Sequence, residues 1–281
     1  MRDLMELDGI KFGGRNLNNI RYADDTVLIA DTEEKLQALV QALVRASGER
    51  GLNLNVSKTK VMVISKEDDN IEANIRVNGQ VLEQVEKYKY LGSVVSRDAR
   101  CVDEIKQRIV IAKNAFNKVK HLVTNRSISI SLRKRFIKSY VWSTMLYGCE
   151  AWTMNKAMVK KIEAAEMWFF RRMLKISWTD RVRNDEVLVR AGTKREIMKT
   201  IRQRQLRFLG HVMRLQQLEN VCVSGRVEGR RGRGRPRMKL VDSLAKVVGG
   251  GITPVQLLRM TERRSDWRSM VANVLEDTAP R

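Results

Sequence analysis

The stretch RYADDTVLIA, residues 21–30, is a short apolar run interrupted by two adjacent carboxylates, Asp24 and Asp25. The flanking segments NNIRY and TVLIA predict two short strands joined by a tight hairpin with the acids at its tip. A turn relaxes the alternation of strand side chains, so both acids can point to one place. Mg²⁺ takes oxygen ligands from one or two carboxylates plus substrate phosphates, which makes it the expected occupant. A solvated Asp-Asp turn is the alternative.

A helix is predicted directly after this hairpin. Residues 31–51, DTEEKLQALVQALVRASGERG, place apolar side chains at the three- and four-residue spacing of one helix face. Asp31 or Thr32 is expected to cap the start of the helix, and Gly48 or Gly51 to mark its end.

Short strands are predicted over the remainder of the first hundred residues. The segment LNLNVSKTKVMVIS, residues 52–65, predicts a strand, a loop and a strand. Asn78-Gly79 lies between two apolar runs and predicts a hairpin. The segment YKYLGSVVS, residues 88–96, predicts a further short strand.

After Arg100 the pattern changes to helices with one apolar and one basic face. They are predicted over residues 102–123, 131–152, 156–176 and 193–215. The basic, glycine-rich segment GRVEGRRGRGRPRMK, residues 225–239, predicts a linker. Short helices end the chain, with residues 253–260 and 265–277 the clearest. Six aromatic residues at helical spacings are expected mainly in a helical core, with stacking on bases as the alternative: Trp142, Tyr147, Trp152, Trp168, Phe169 and Phe170.

The net charge of +22 is confined to the second part of the chain. Residues 1–100 hold 15 Lys and Arg against 16 Asp and Glu, so residues 101–281 hold the other 39 basic and 16 acidic residues. A near-neutral part joined to a strongly basic part indicates a polyanionic partner, most simply nucleic acid. A solvated basic surface without a specific ligand is the alternative.

Composition argues against several other classes of protein. No apolar run approaches the ~20 residues of a membrane span, and MRDLMELDGI at the start has three acids and no apolar block, unlike a signal peptide. Cys101, Cys149 and Cys222 lie far apart, and with His121 and His211 they show neither zinc spacing nor a disulfide framework. A reducing, intracellular setting is expected, and the basic runs are compatible with a nuclear one.

Three ordered motifs resemble reverse transcriptases of non-long-terminal-repeat (LINE-type) retrotransposons. The string GGRNLNNIRYADDTVLIADT resembles their catalytic hairpin. GLNLNVSKTKVMVIS, residues 51–65, resembles the next block of the polymerase palm, and YKYLGS, residues 88–93, resembles the primer-grip hairpin. MLYGCEAWTM and RRGRGRPR are similar to C-terminal regions of such elements, so the resemblance runs from about residue 9 to residue 240.

The resemblance implies an α+β fold, with a partial reverse-transcriptase palm followed by a mostly helical thumb and tail. Residues 1–100 correspond to the second half of the palm with its primer grip, and residues 101–224 to a basic thumb and connection. Residues 225–239 are then a linker, and residues 240–281 a small helical tail. The basic helix faces are expected to hold phosphates without reading sequence.

The resemblance also implies site residues. Asp24 and Asp25 fall on the metal-binding pair, with Asp24 the firmer ligand of Mg²⁺, of which the parent enzyme uses two ions. Tyr22 corresponds to a position near the primer end and the incoming nucleotide. Lys58 corresponds to a lysine near the triphosphate that neutralises phosphate charge, an ordinary exposed lysine being the alternative. Leu91 and Gly92 correspond to the primer grip or, alternatively, a simple strand end, and the partners implied are an RNA template and a DNA primer.

The pattern departs from the family upstream of the hairpin. A palm of this type has a further metal-binding Asp on an earlier strand, and only 23 residues precede Asp24. Asp3 and Asp8 lie there, but no strand-like apolar run accompanies them. We therefore expect a truncated retrotransposon product that is inactive as a polymerase when alone, with an open strand edge beside the hairpin.

Two other interpretations stay open. RGRGRPR, residues 231–237, resembles an AT-hook, in which Arg231, Arg233, Arg235 and Arg237 would enter an A·T minor groove. In that case the chain is a non-enzymatic nucleic-acid-binding protein, whereas a plain basic linker is the simpler account of the segment. A translated relic without a selected function is the third interpretation.

Overall fold

The computed structural model describes residues 7–65, 70–215, 217–224 and 239–273. These residues form two compact units, one built from residues 7–100 and the other mainly from residues 101–223 and 239–273. Short strands and one helix make up the first unit, and helices the second. This distribution confirms the predicted α+β class. The predicted linker lies outside the described residues except for Lys239.

The strands described in the first unit pair two by two. Antiparallel pairs are β1 (Ile10–Phe12) with β2 (Arg15–Leu17), β3 (Asn19–Tyr22) with β4 (Asp25–Leu28), β6 (Arg76–Val77) with β7 (Gln80–Val81), and β9 (Lys87–Tyr90) with β10 (Ser93–Ser96). The one parallel pair among the described strands joins β5 (Lys60–Val61) to β8 (Glu83–Gln84). No third strand lies against β3–β4 within the described residues.

Helix α1 (Glu33–Gly48) follows β4, as predicted. The Thr32 side chain accepts a hydrogen bond from the Lys35 amide at 3.3 Å, which makes Thr32 the N-cap. The Gln37 side chain exchanges two hydrogen bonds with the backbone of Arg76, at 2.8 and 2.9 Å, and so joins α1 to β6.

The apolar core of the first unit is small. Its fully buried members are Val40, Val61, Ile75, Val77 and Leu82, and partly buried side chains pack around them: Leu28, Leu36, Val44, Leu54, Val56 and Ala73. Leu28 belongs to β4 and Val56 precedes Lys58, so one core supports both the hairpin and the lysine loop.

The described residues form twelve α-helices, of which α1 belongs to the first unit. After α1 they are α2 (Val102–Lys118), α3 (Lys120–Val123), α4 (Ile130–Phe136), α5 (Ser143–Met145), α6 (Lys156–Leu174), α7 (Asn184–Ala191), α8 (Ile197–Leu215), α9 (Leu218–Ser224), α10 (Leu240–Val248), α11 (Pro254–Met260) and α12 (Arg264–Asn273). A π-helical segment, Ile137–Trp142, joins α4 to α5. No helix in the described part of the chain is long and apolar enough to span a membrane.

Several local predictions need correction. Residues 52–55 form no strand, because Leu54 and Val56 pack on the core from a loop. Residues 88–96 are not one strand but most of the β9–β10 hairpin, which turns at Leu91-Gly92. The helix predicted over 102–123 is divided at Val119, and the 131–152 helix ends at Met145, ahead of Gly148 in a left-handed conformation.

Two apolar clusters stabilise the helical unit. The larger surrounds α2, α6 and the π-helical segment, and buries Trp142, Trp152, Phe169 and Phe170. The predicted aromatic core is therefore correct for these four residues, whereas Tyr147 is 49% exposed. The smaller cluster packs the second half of α8 against α10, α11 and α12, including Trp267.

A buried carboxyl group fixes the start of α8. One Glu166 oxygen accepts hydrogen bonds from the amides of Glu196 and Ile197, at 2.9 and 3.0 Å. These amides are among the donors that a helix start leaves without an intrahelical partner. Glu166 is fully buried, and desolvation raises the pKa of its carboxyl.

Candidate functional site

The β3–β4 hairpin places both acids at its end. Tyr22 pairs with Asp25 across the ribbon, and Ala23 and Asp24 form the two-residue turn between them. Asp24 and Asp25 are exposed, and Tyr22 is 65% exposed. Directly opposed residues share a face of the ribbon, so Tyr22 and Asp25 lie side by side. The predicted hairpin, with the two acids at its tip, is confirmed.

The hairpin is anchored at its opposite end. The Ile29 amide donates a hydrogen bond to the Asn18 carbonyl at 2.8 Å, which extends the pairing beyond β3–β4. The Asn18 amide group donates to the carbonyl of Leu7 at 2.7 Å. Gly9 must be a glycine, because an added Cβ would lie 2.3 Å from the Leu17 carbonyl oxygen. The acids thus project from a ribbon that is held at its base.

Lys58 lies in a loop organised by Asn55. The Asn55 side-chain oxygen accepts hydrogen bonds from the Ser57 hydroxyl at 2.7 Å and the Lys58 amide at 3.1 Å. Lys58 is exposed, and its ammonium group makes no hydrogen bond or ion pair with any described residue. The Tyr88 hydroxyl donates to the Lys58 carbonyl at 3.2 Å, so the structure brings the lysine loop and β9 together.

Leu91 and Gly92 form the turn of the β9–β10 hairpin. Both have positive φ, at 45° and 83°, the arrangement of a tight two-residue turn that favours Asn-Gly. The Asn78-Gly79 turn of the same unit has this geometry with φ of 50° and 80°. Leucine is unfavourable at such a backbone position, and here it leaves an apolar side chain 39% exposed at the hairpin tip.

The predicted residues are only partly brought together. Lys58 and the Leu91-Gly92 hairpin are linked through Tyr88, and the acid hairpin shares the same apolar core through Leu28. No hydrogen bond or ion pair joins Asp24 or Asp25 to Lys58 within the described residues. The AT-hook-like arginines Arg231, Arg233, Arg235 and Arg237 lie outside the described residues.

The donor set at the hairpin fits a hard divalent cation. Two exposed carboxylates on adjacent residues are what Mg²⁺ takes from a protein when phosphates and water complete its shell. Among the described residues no group of three or more His, Cys, Asp or Glu forms a metal-binding cluster. Burial raises the pKa of the Cys149 thiol to about 12, so this cysteine stays protonated.

A basic groove that the sequence reasoning missed lies between α8 and α12. Its cavity has a volume of about 470 Å³, which is in the range of ligand sites. None of the described residues that line the groove is acidic. Five basic side chains line it together with Trp267: Arg207, His211, Arg214, Arg264 and Arg268. Their spacings, four and seven residues on α8 and four on α12, were the available signal.

The first unit is reverse-transcriptase-like in sequence. Residues 5–95 match the family of reverse transcriptases (RNA-dependent DNA polymerases). Over 93% of its length the chain is 29% identical to a putative uncharacterized transposon-derived protein of Caenorhabditis elegans, of which it covers 98%. No solved structure matches the chain. The matched region contains the Asp24-Asp25 hairpin, Lys58 and the Leu91-Gly92 turn.

Proposed function

We propose that the chain derives from a LINE-type retrotransposon reverse transcriptase and binds an RNA template annealed to a DNA primer. The observation that carries the proposal is the β3–β4 hairpin, which presents Asp24 and Asp25 at its exposed end inside the reverse-transcriptase-like region. Similarity to a transposon-derived protein along nearly the whole chain supports the origin.

Each candidate residue has a chemical task in this proposal. Asp24 and Asp25 hold Mg²⁺, which when bound neutralises phosphate charge. The exposed Tyr22 ring beside Asp25 supports the sugar and base at the primer end. Lys58 contributes a cation to the triphosphate, and the Leu91-Gly92 tip lies against the primer strand. Residues 1–100 act as the palm and the basic helical residues 101–224 as the thumb.

The proposal assigns binding to this chain and nucleotidyl transfer to the parent enzyme. Among the described residues no third carboxylate joins Asp24 and Asp25 in a metal-binding group, and two carboxylates balance the charge of a metal pair poorly. Primer extension on an RNA template is therefore expected at background level. Extension that disappears in Asp24→Asn/Asp25→Asn would contradict this assignment.

Binding is tested by fluorescence anisotropy with a labelled RNA–DNA template–primer. Mg²⁺ should tighten binding of the unmodified chain about tenfold, the size of one charge-assisted contact. Asp24→Asn/Asp25→Asn should abolish the Mg²⁺ effect. The matched control is Glu49→Gln/Glu72→Gln, which removes two exposed carboxylates of the same unit that belong to neither β3 nor β4. Loss of the Mg²⁺ effect in both double variants would contradict a hairpin site.

Non-enzymatic nucleic-acid binding is the second candidate function, favoured by the basic groove between α8 and α12. It predicts affinity that is independent of Mg²⁺ and of Asp24 and Asp25. Its AT-hook form further predicts that Arg233→Ala/Arg235→Ala lowers affinity for A·T-rich duplex more than for G·C-rich duplex. Equal losses on both duplexes would contradict an AT-hook.

A further inference from the structure

A second basic cavity lies in the helical unit, between the segment before α4 and the end of α6. Its volume is about 390 Å³, within the range of ligand-binding cavities. Three cationic residues line it, Arg126, Arg133 and Lys175, together with the hydroxyl-bearing Thr124 and Ser129. None of the described residues that line the cavity is acidic. The cavity therefore selects for a negatively charged group.

Arg133 supplies the strongest indication of a ligand. The residue is 7% exposed, and its Nη1 donates a hydrogen bond to the Met173 carbonyl at 3.1 Å. Its buried Nε has no hydrogen-bond partner among the described residues. Buried polar atoms are nearly always partnered, and a guanidinium matches the oxygens of a phosphate or carboxylate. An oxyanion in the cavity would provide the acceptor that Nε lacks.

Lys175 stands at the end of α6 where glycine is the usual residue. The Ile176 amide donates to the Arg171 carbonyl at 2.9 Å, and the Lys175 amide to the Arg172 carbonyl at 3.2 Å, with Lys175 at φ 59°. Helix α7 ends in the same way with Gly192 at φ 58°. A left-handed backbone is less favourable for lysine than for glycine, because lysine carries a Cβ. Retaining a lysine here places an ammonium group at the cavity.

We propose that this cavity binds a phosphate group of a nucleic-acid backbone. The inference rests on the nucleic-acid binding proposed above and identifies one place in the basic helical unit where the strand is held. Arg133 contacts the phosphate oxygens through Nε, and Arg126 and Lys175 neutralise its charge from the exposed rim. Such a contact fixes the position of the strand and carries no sequence information.

Two substitutions at the same kind of backbone position separate this site from general basic charge. Lys175→Gly and Arg181→Gly each remove one exposed cation and each place glycine where φ is positive, at 59° and 49°. Arg181 does not line the cavity. Lys175→Gly should weaken single-stranded RNA or DNA binding about tenfold, the size of a charge-assisted contact. Lys175→Gly should also lower the slope of log affinity against log salt concentration by about 0.7.

Arg181→Gly should change the affinity by no more than about twofold, and Arg126→Gln should weaken binding in the same way as Lys175→Gly. Lys175→Gly and Arg126→Gln should not lower the free energy of unfolding, because Arg126 and Lys175 are exposed. If Lys175→Gly and Arg181→Gly bind equally well, the cavity proposal is overturned while the proposed function stands.

The Arg133 Nε–H resonance provides a direct readout at the cavity. Titration of the full chain with an oligonucleotide should shift this resonance, and inorganic phosphate should shift it only at much higher concentration. If the chain binds no oligonucleotide, the proposed function fails. A shift with inorganic phosphate that Lys175→Gly removes would then support a phosphate site filled by the free ion. No shift with either probe overturns the site.

Discussion

Leu91 occupies a turn position that a short polar residue fits better. Replacement by asparagine would give the Asn-Gly pair that the Asn78-Gly79 turn already has. Leu91→Asn is expected to raise the free energy of unfolding of the first unit by about 1 kcal/mol, because asparagine tolerates a left-handed backbone. Urea denaturation of the full chain measures this change.

The same substitution should lower template–primer affinity if the exposed leucine contacts the primer. The reciprocal change Asn78→Leu serves as the control, since it should cost stability by a similar amount and leave affinity unchanged. Higher affinity of Leu91→Asn would contradict a primer-grip role for this tip.

Glu166 makes stability depend on pH. Its pKa is raised in the folded chain by desolvation, so folding favours the protonated carboxyl. The stabilisation is fully present below the pKa of the unfolded chain and is lost as the pH rises through the folded-state pKa. Glu166→Gln keeps an oxygen for the Glu196 and Ile197 amides and removes the titration.

The expected result is that the free energy of unfolding of Glu166→Gln, relative to the unmodified chain, increases as the pH is raised above the ordinary carboxyl range. Thermal unfolding across a pH series measures the difference. A difference that does not vary with pH would contradict the raised pKa of Glu166.

At the scale of elements, α8 and α12 cross at a glycine. A Cβ on Gly210 would lie 2.2 Å from Nε1 of Trp267, which donates a hydrogen bond to the Leu206 carbonyl at 3.2 Å. Gly210→Ala should therefore destabilise the chain by about 1–3 kcal/mol, the usual cost of overpacking. Trp fluorescence during denaturation measures this change in the free energy of unfolding.

Gly48→Ala is the matched control for this prediction, because nothing lies within 4 Å of a Cβ added there. It should leave stability unchanged or raise it by about 0.5 kcal/mol. Equal effects of the two substitutions would show that the crossing does not depend on Gly210.

Local patterns predicted the elements whose ends are fixed by neighbouring residues. The Asp24-Asp25 turn, the Thr32 cap and the Asn78-Gly79 hairpin all follow from a few adjacent residues. The parallel pairing of β5 with β8 joins segments 23 residues apart, so no local pattern reveals it. Alternation over residues 52–55 indicated a strand, whereas packing on the core holds them as a loop.

The basic groove between α8 and α12 and the basic cavity beside α4 and α6 were not predicted from the sequence, for a related reason. Arg133 and Lys175 are 42 positions apart, and Arg207 and Arg268 are 61 apart, so only the packing of helices brings them together. The sequence shows the excess of charge after residue 100 but not where it is concentrated. The candidate site of the first unit was more predictable because its residues lie at turns.

At the scale of the whole molecule, a net charge of +22 predicts that the proposed nucleic-acid affinity falls as the salt concentration rises. Arg207→Gln/Arg268→Gln removes two cations of the α8–α12 groove and should lower the slope of log affinity against log salt by about 1.8 on duplex. Lys160→Gln/Lys161→Gln removes two exposed lysines of α6 that do not line the groove. Equal slopes for both double variants would contradict a binding groove.

A metal site at the Asp24-Asp25 hairpin is tested directly by Mn²⁺ binding to the chain in complex with an RNA–DNA template–primer, followed by NMR. Mn²⁺ stands in for Mg²⁺ and broadens resonances near the site where it binds. We expect selective broadening of Tyr22, Asp24 and Asp25 that is absent in Asp24→Asn/Asp25→Asn and present in Glu49→Gln/Glu72→Gln. Broadening that is unchanged in Asp24→Asn/Asp25→Asn, or that never reaches this hairpin, would contradict a metal site there.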